Sequence, residues 1–214
     1  MKKKRTKVAR KTTPRVKRSK KPSAPKEGKY LNLEYESFCE LSCLYFAEEL
    51  IKLGYAAKVE RSPSYSLCDP VQSSYAVQLK RGSKQETQTI SQGVTYTPDF
   101  DIYFTEKAIG VFCWVFGSTK KWDKNLLVAQ NVGNLYRACC EVKPDFSRAS
   151  TTPKSVQSMK WLFQKHGVFV NLFRPNRIFE GLFVPQKYLL TERGTLRLLK
   201  FKALSLQEYL KKKI

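Results

Sequence analysis

Val94-Thr95-Tyr96-Thr97-Pro98-Asp99-Phe100-Asp101-Ile102-Tyr103-Phe104 alternates in character along its whole length. An extended chain turns successive side chains to opposite faces, so Tyr96, Pro98, Phe100, Ile102 and Phe104 share one face, and Thr95, Thr97, Asp99, Asp101 and Tyr103 share the other. The pattern predicts a half-buried strand with Asp99 on its more polar side. Pro98 has no N–H to give a ladder and belongs at an edge, a bulge or a strand start. A second stretch, Leu135-Tyr136-Arg137-Ala138-Cys139-Cys140-Glu141-Val142-Lys143, predicts another strand. At its end Glu141 and Lys143 point the same way and Val142 points into the layer behind. If the two strands are neighbours, two acids and a lysine converge at one end of a sheet. Such a site can hold a divalent metal and a phosphate.

Outward from these strands, apolar residues recur at three- and four-residue intervals through Phe38, Leu41, Leu44, Tyr45, Leu50 and Ile51, predicting an amphipathic helix over residues 31–54 closed by Gly54. Tyr75 to Leu79 reads as a strand, residues 80–93 as a loop or hairpin tip, and residues 110–116 as a further apolar run. Thr151-Thr152-Pro153 is a helix start, and that helix runs to His166 and stops at Gly167, with a strand over residues 168–173. Helix, several strands, helix, strand is the order of an α/β fold: a central mixed β-sheet flanked by helices. Residues 29–175 form the expected main domain, with an insertion around 104–133, and residues 176–214 a C-terminal extension packed on it.

Charge is unevenly spread. Of 40 Lys and Arg residues, 13 fall in residues 1–26, which contain no Asp or Glu, leaving 27 basic against 18 acidic residues in the remainder. Residues 1–28, punctuated by Pro14, Pro22 and Pro25 and poor in large apolar side chains, read as a disordered basic arm. Its Lys2-Lys3-Lys4-Arg5 run is suited to phosphates of nucleic acid. Gln157 and Lys160, three apart on the second helix, could also reach a substrate phosphate. No run approaches the roughly 20 apolar residues of a membrane span, and no apolar segment of a signal peptide follows the basic start. Six cysteines without zinc-knuckle spacing and a single histidine, His166, argue against a structural zinc. A reducing cytoplasm is expected, and His166 reads as a partner of its helix dipole rather than a catalytic base.

Glu40, Pro98-Asp99 and Glu141-Val142-Lys143, followed by a helix and a strand, resemble the PD-(D/E)xK nuclease superfamily, and within it the small phage-type endonucleases. The likeness spans residues 31–173 and implies a restriction-endonuclease-like fold. An acid two residues before a lysine occurs in this chain only at Glu27-Gly28-Lys29 and Glu141-Val142-Lys143, and only the second ends an apolar segment. Glu40, stepping through Leu44, Ala47 and Ile51, lies beside the apolar stripe, where an acid costs free energy unless paired or metal-bound. Glu36, Glu48 and Glu49 compete for its role. Asp101 competes with Asp99, and Asp145 with Glu141. The long separation of Asp99 from Glu141 exceeds one short hairpin and requires extra structure between them.

The resemblance implies a metal-dependent endodeoxyribonuclease that hydrolyses DNA phosphodiesters, of phage or mobile-element origin, acting in recombination, repair or junction resolution. Asp99, Glu141, Glu40 and the Val142 carbonyl would hold Mg²⁺ or Mn²⁺, with Lys143 orienting the attacking water or stabilising charge. DNA is the implied partner, with no membrane and no small-molecule cofactor. Junction resolution would require a symmetric homodimer. A phage-encoded chain would act in the host cytoplasm or travel in a virion. The alternative is a non-catalytic nucleic-acid-binding or packaging protein on a nuclease-like fold, using some of its 27 Phe, Trp and Tyr rings to stack on bases.

Overall fold

The computed structural model describes residues 27–145, 153–191 and 194–213. The basic run Lys2-Lys3-Lys4-Arg5 and the helix-start residues Thr151 and Thr152 lie outside the described residues. The first helix is shorter than the periodicity predicts. Its expected first turn is a hairpin, β1 (Gly28–Tyr30) and β2 (Leu33–Tyr35), joined through Leu31 and Asn32 at φ 51° and 62°. Two consecutive positive-φ residues make the tight turn whose twist suits paired strands, so Leu33 and Tyr35 alternate as strand residues instead of continuing a helical stripe. Helix α1 (Phe38–Lys52) then starts at Ser37, whose hydroxyl accepts from the Glu40 N–H. It ends before Gly54, which takes φ 72°.

Strand β3 (Ala56–Arg61) begins a mixed sheet. With β8 (Phe100–Phe104), β11 (Leu135–Val142), β10 (Leu127–Val132) and β9 (Cys113–Val115) it runs in the order β3-β8-β11-β10-β9, and β12 (Val170–Phe173) pairs with β11. Strand β8 runs antiparallel to both of its neighbours, β3 and β11, whereas β12 lies parallel to β11. One edge of β11 is shared: β10 takes residues 135–137 and β12 takes 139–142. Where these two partners meet, buried Asn171 completes the ladder. Its Oδ1 accepts from the Val128 N–H at 2.8 Å and its Nδ2 donates to the Val128 and Cys139 carbonyls. These bonds satisfy backbone groups that would otherwise be buried without partners.

The segment 94–104 is not one strand. Pro98 cannot donate, and the chain breaks into β7 (Val94–Tyr96) and β8. The separation of Asp99 from Glu141 is filled by extra strands: within 104–133, a 3-10 turn (Glu106–Ala108) leads to β9 and β10, which extend the main sheet. A further excursion falls at 65–96, where β4 (Tyr65–Cys68) pairs with β7 and carries a hairpin of β5 (Val71–Leu79) and β6 (Gly82–Ser91). Lys80 and Arg81 form the tip, so most of the supposed loop at 80–93 is strand.

One sheet face carries the main core. Phe100, Ile102 and Phe104 of β8 and Ala138, Cys140 and Val142 of β11 meet Leu44, Phe46, Ala47 and Leu50 of α1. Phe179, Tyr188 and Tyr209 join the same core from the C-terminal helices α3 (Pro175–Gly181), α4 (Gln186–Leu189) and α5 (Leu206–Lys213), and Phe183 joins it from the link between α3 and α4. Each such ring, fully buried, contributes about 1.5–3 kcal/mol relative to exposure. The opposite face carries a smaller cluster, in which Leu162 and Met159 of α2 (Pro153–His166) pack on Cys139, Val170 and Leu67. His166, at the end of α2, bonds the Ser66 carbonyl through Nε2 at 2.8 Å, which docks the helix on β4. All six cysteines are free.

Candidate active site

Pro98 interrupts the β8–β11 ladder, and Asp99 repairs it. The Asp99 N–H donates to the Cys140 carbonyl at 3.0 Å, and its carboxylate Oδ2 accepts from the Val142 N–H at 2.6 Å. The side chain thus stands where a backbone carbonyl would continue the pairing. This places Asp99 against Glu141-Val142-Lys143 despite the intervening residues, because β9 and β10 return the chain to the neighbouring position. On its other edge the end of β11 is fixed by the Lys143 N–H donating to the Phe173 carbonyl at 2.9 Å.

Glu141 is buried, 7 % exposed. Its carboxylate forms a close ion pair with Lys143 and accepts from Tyr96 Oη at 3.0 Å. Burial, followed by the charge and hydrogen bond of Glu141, pushes the Tyr96 phenol well above its ordinary value. The Asp99 carboxyl is pushed up to about 6, first by burial and then by the Glu141 charge, with Glu40 adding to the effect; the Val142 N–H and Lys143 oppose it. Four expected groups therefore act on one another electrostatically.

Glu40 enters from the first turn of α1 and is 8 % exposed. Its Oε1 accepts from Ser37 Oγ at 2.9 Å, its Oε2 from the Glu36 N–H at 3.1 Å, and Arg61 Nη2 lies 3.3 Å from Oε2. Ser37 and Glu40 form a capping box, in which the first-turn acid reaches back to N–H groups left open at the helix start. The oddity of an acid beside the apolar stripe has this structural answer as well as a functional one.

Its competitors stand elsewhere. Glu48 pairs with Lys52 and Lys187 and accepts from Tyr30; burial opposes its charge, but these bonds outweigh burial and hold its carboxyl down at about 2. Glu49 accepts from the Gln186 N–H. Both tie α1 to the C-terminal helices. Asp101 is 1 % exposed, accepts from Ser62 Oγ at 2.8 Å and lies 3.8 Å from Arg137, so it is a satisfied interior acid rather than a substitute for Asp99. Asp145 accepts from the Asn176 and Arg177 N–H groups and caps α3. Gln157 is exposed on α2, and Lys160 lines a groove beside the sheet.

Tyr96 and Arg61 were not picked out by sequence. Tyr96 shares an alternating stretch with Asp99, but its partnership with Glu141 depends on how β7 folds over the sheet. Arg61 ends β3, and its guanidinium also lies over the Phe100 ring, 4.5 Å from the centroid.

Among the described residues no three His, Cys, Asp or Glu side chains form a group that could hold a metal as placed. In donor type the acids suit a hard divalent cation, and the upward push on Asp99, which comes first from burial and then from the Glu141 charge, is one that such a cation would oppose. Binding it would require Glu141 to part from Lys143. Val142 meets Asp99 through its N–H. No protein-family model, curated protein or solved structure matches the chain. No helix of the described residues is long and apolar enough to cross a membrane.

Proposed function

We propose that this chain is a metal-dependent endodeoxyribonuclease of the PD-(D/E)xK type. The observation that carries the reading is the seating of Asp99 directly against Glu141-Val142-Lys143 at the ends of adjacent strands, with its carboxyl pushed up to about 6. The order α1, three antiparallel strands, α2 and a parallel β12 supports the same resemblance.

Asp99, Glu141, Glu40 and the Val142 carbonyl would hold Mg²⁺ or Mn²⁺, which when bound supplies polarisation of the phosphate and a more acidic water. Tyr96 holds one Glu141 oxygen and so restricts how that carboxylate turns. Lys143, released from Glu141, supplies a positive N–H donor to the attacking water or the charge developing on phosphate. Arg61 holds Glu40 at the helix start and adds positive charge near the substrate path. DNA is the proposed partner, in a phage or mobile-element setting of recombination, repair or junction resolution.

The test is incubation with labelled duplex, single-stranded and four-way-junction DNA in Mg²⁺, Mn²⁺ or EDTA. Metal-dependent cleavage is expected, falling at least a hundredfold in Glu141→Gln and Lys143→Ala, with DNA binding retained in Lys143→Ala. Cleavage by Lys143→Ala at the parent's rate would discard this site. A second reading, a nuclease-like fold used for binding or packaging, is favoured by the closed Glu141–Lys143 pair. Salt-sensitive binding without cleavage on every substrate would establish it.

A further inference from the structure

Beside the acid site lies a groove of about 660 Å³ between α2, β12 and the loop that follows β9. Three exposed rings line it, Phe116 (46 %), Trp122 (54 %) and Phe163 (39 %), with half-buried Phe169 packed against Phe116 and Phe163. Phe116 and Phe163 stand edge to face with centroids 5.5 Å apart. Three cations, Lys124, Lys160 and Arg177, complete it, and no Asp or Glu is among the described residues of its wall. Leu172, which stands opposite Glu141 in the β11–β12 register, lines it too, so the groove abuts the acid site.

Exposed rings and unopposed cations demand different things of a ligand. The rings favour a flat apolar body; the cations favour negative charge close to it. An apolar peptide meets only the first demand, and an inorganic phosphate only the second. We propose that this groove seats one or two unpaired nucleotides of DNA, a base stacking on Trp122 and the neighbouring phosphates meeting Lys124, Lys160 and Arg177. Bases in a duplex are stacked on each other and do not present their faces, so the groove selects single-stranded or splayed DNA over uninterrupted duplex. The volume lies within the range of pockets that enclose small ligands. The inference deepens the nuclease reading by naming its substrate class, and it rests on that reading only for the claim that the held strand is the one cut.

Binding of the full chain in EDTA to a fluorescent oligothymidylate and to an abasic oligomer of equal length tests it. The parent should prefer the base-bearing oligomer. Trp122→Ala should lose roughly tenfold in affinity for that oligomer and almost nothing for the abasic one, while Trp122→Phe keeps the preference. Lys160→Gln with Arg177→Gln should weaken both oligomers alike and flatten the salt dependence. Equal binding of the two oligomers by the parent, or an unchanged preference in Trp122→Ala, overturns the proposal. A shift in oligomeric state on Trp122→Ala with oligomer preference intact also overturns it, assigning the groove to a second copy. This binding assay does not read cleavage; the metal-dependent cleavage assay tests the nuclease reading separately. Base preference here with no cleavage there keeps the groove and removes the nuclease reading, and cleavage there without base preference here does the reverse.

Discussion

Asp99 carries a cost that its neighbours impose. Its folded carboxyl titrates at about 6 against an ordinary value of 3.8, with burial and then Glu141 as the causes. Between these values the folded chain holds a proton that the unfolded chain has lost, so stability falls as pH rises from about 4 to 6 and stays reduced above that. Asp99→Asn removes the charge and keeps an oxygen able to accept from the Val142 N–H. It should therefore stabilise the protein on the order of 2 kcal/mol at pH 7.5, an advantage that disappears below pH 4. Thermal melts of parent and variant across pH 4–8 check this; a constant difference across the range would mean that Asp99 ionises normally. Mg²⁺ should raise the parent's melting temperature at pH 7.5 and leave that of Asp99→Asn almost unchanged. Glu40 offers a second case in which structure and chemistry share a side chain. Ser37→Ala should cost about 1 kcal/mol through the lost cap, and it also releases the Glu40 Oε1 that Ser37 holds, leaving Oε2 with the Glu36 N–H and Arg61.

The elements differ sharply in how much they owe to burial. Almost every residue of β5 and β6 is exposed, including Val71, Leu79 and Ile90, so the hairpin adds little apolar burial to the fold. Excising residues 74–87 and closing Ser73 to Gln88 through Asn-Gly should move the melting temperature by no more than about 3 °C, since surface changes of this kind stay within roughly 0.5 kcal/mol. A large loss on calorimetry would show that the hairpin holds the sheet together. This same lack of burial hid β6 from the sequence: Gln85, Thr87 and Thr89 alternate with Lys84, Glu86 and Gln88, leaving no apolar face to mark a strand. Strands β8 and β11, helix α2 and strand β12 were legible because each sets apolar side chains against a core at its own period, and that period is written in the sequence. The β1–β2 hairpin was lost inside a helical stripe that Leu33 happened to extend. At the site, Asp99, Glu141 and Lys143 could be grouped because Asp99 sits in an alternating strand stretch, and Glu141 and Lys143, two apart on one face, end an apolar one. Tyr96 and Arg61 could not, since their partners are set by how β7 and β3 register against the sheet, which spacing does not encode.

At the scale of the whole chain, the proposed nuclease divides affinity and chemistry between different parts. Residues 1–26 hold 13 of the 40 basic side chains and no acid, whereas the acids of the candidate site are gathered at one end of the sheet. Carboxylates repel a phosphate backbone, so a strand can approach Asp99 and Glu141 only if positive charge elsewhere compensates. Lysines and arginines that meet phosphates release counterions and act without regard to base sequence. Removing residues 1–26 should accordingly weaken binding to duplex, single-stranded and junction DNA by similar factors. The slope of log affinity against log salt should become shallower by about 0.9 for each duplex phosphate that is no longer neutralised. The rate of cleavage at saturating DNA should not change, because the groups proposed to act on the scissile phosphate, Asp99, Glu141, Glu40 and Lys143, all lie beyond residue 26. Titrations at several salt concentrations, paired with single-turnover cleavage, separate the two quantities. A truncated chain that binds as tightly as the parent would assign affinity to the remaining 27 basic residues, which still outnumber the 18 acids. A truncated chain that binds but no longer cuts at saturation would place part of the chemistry in the first 26 residues.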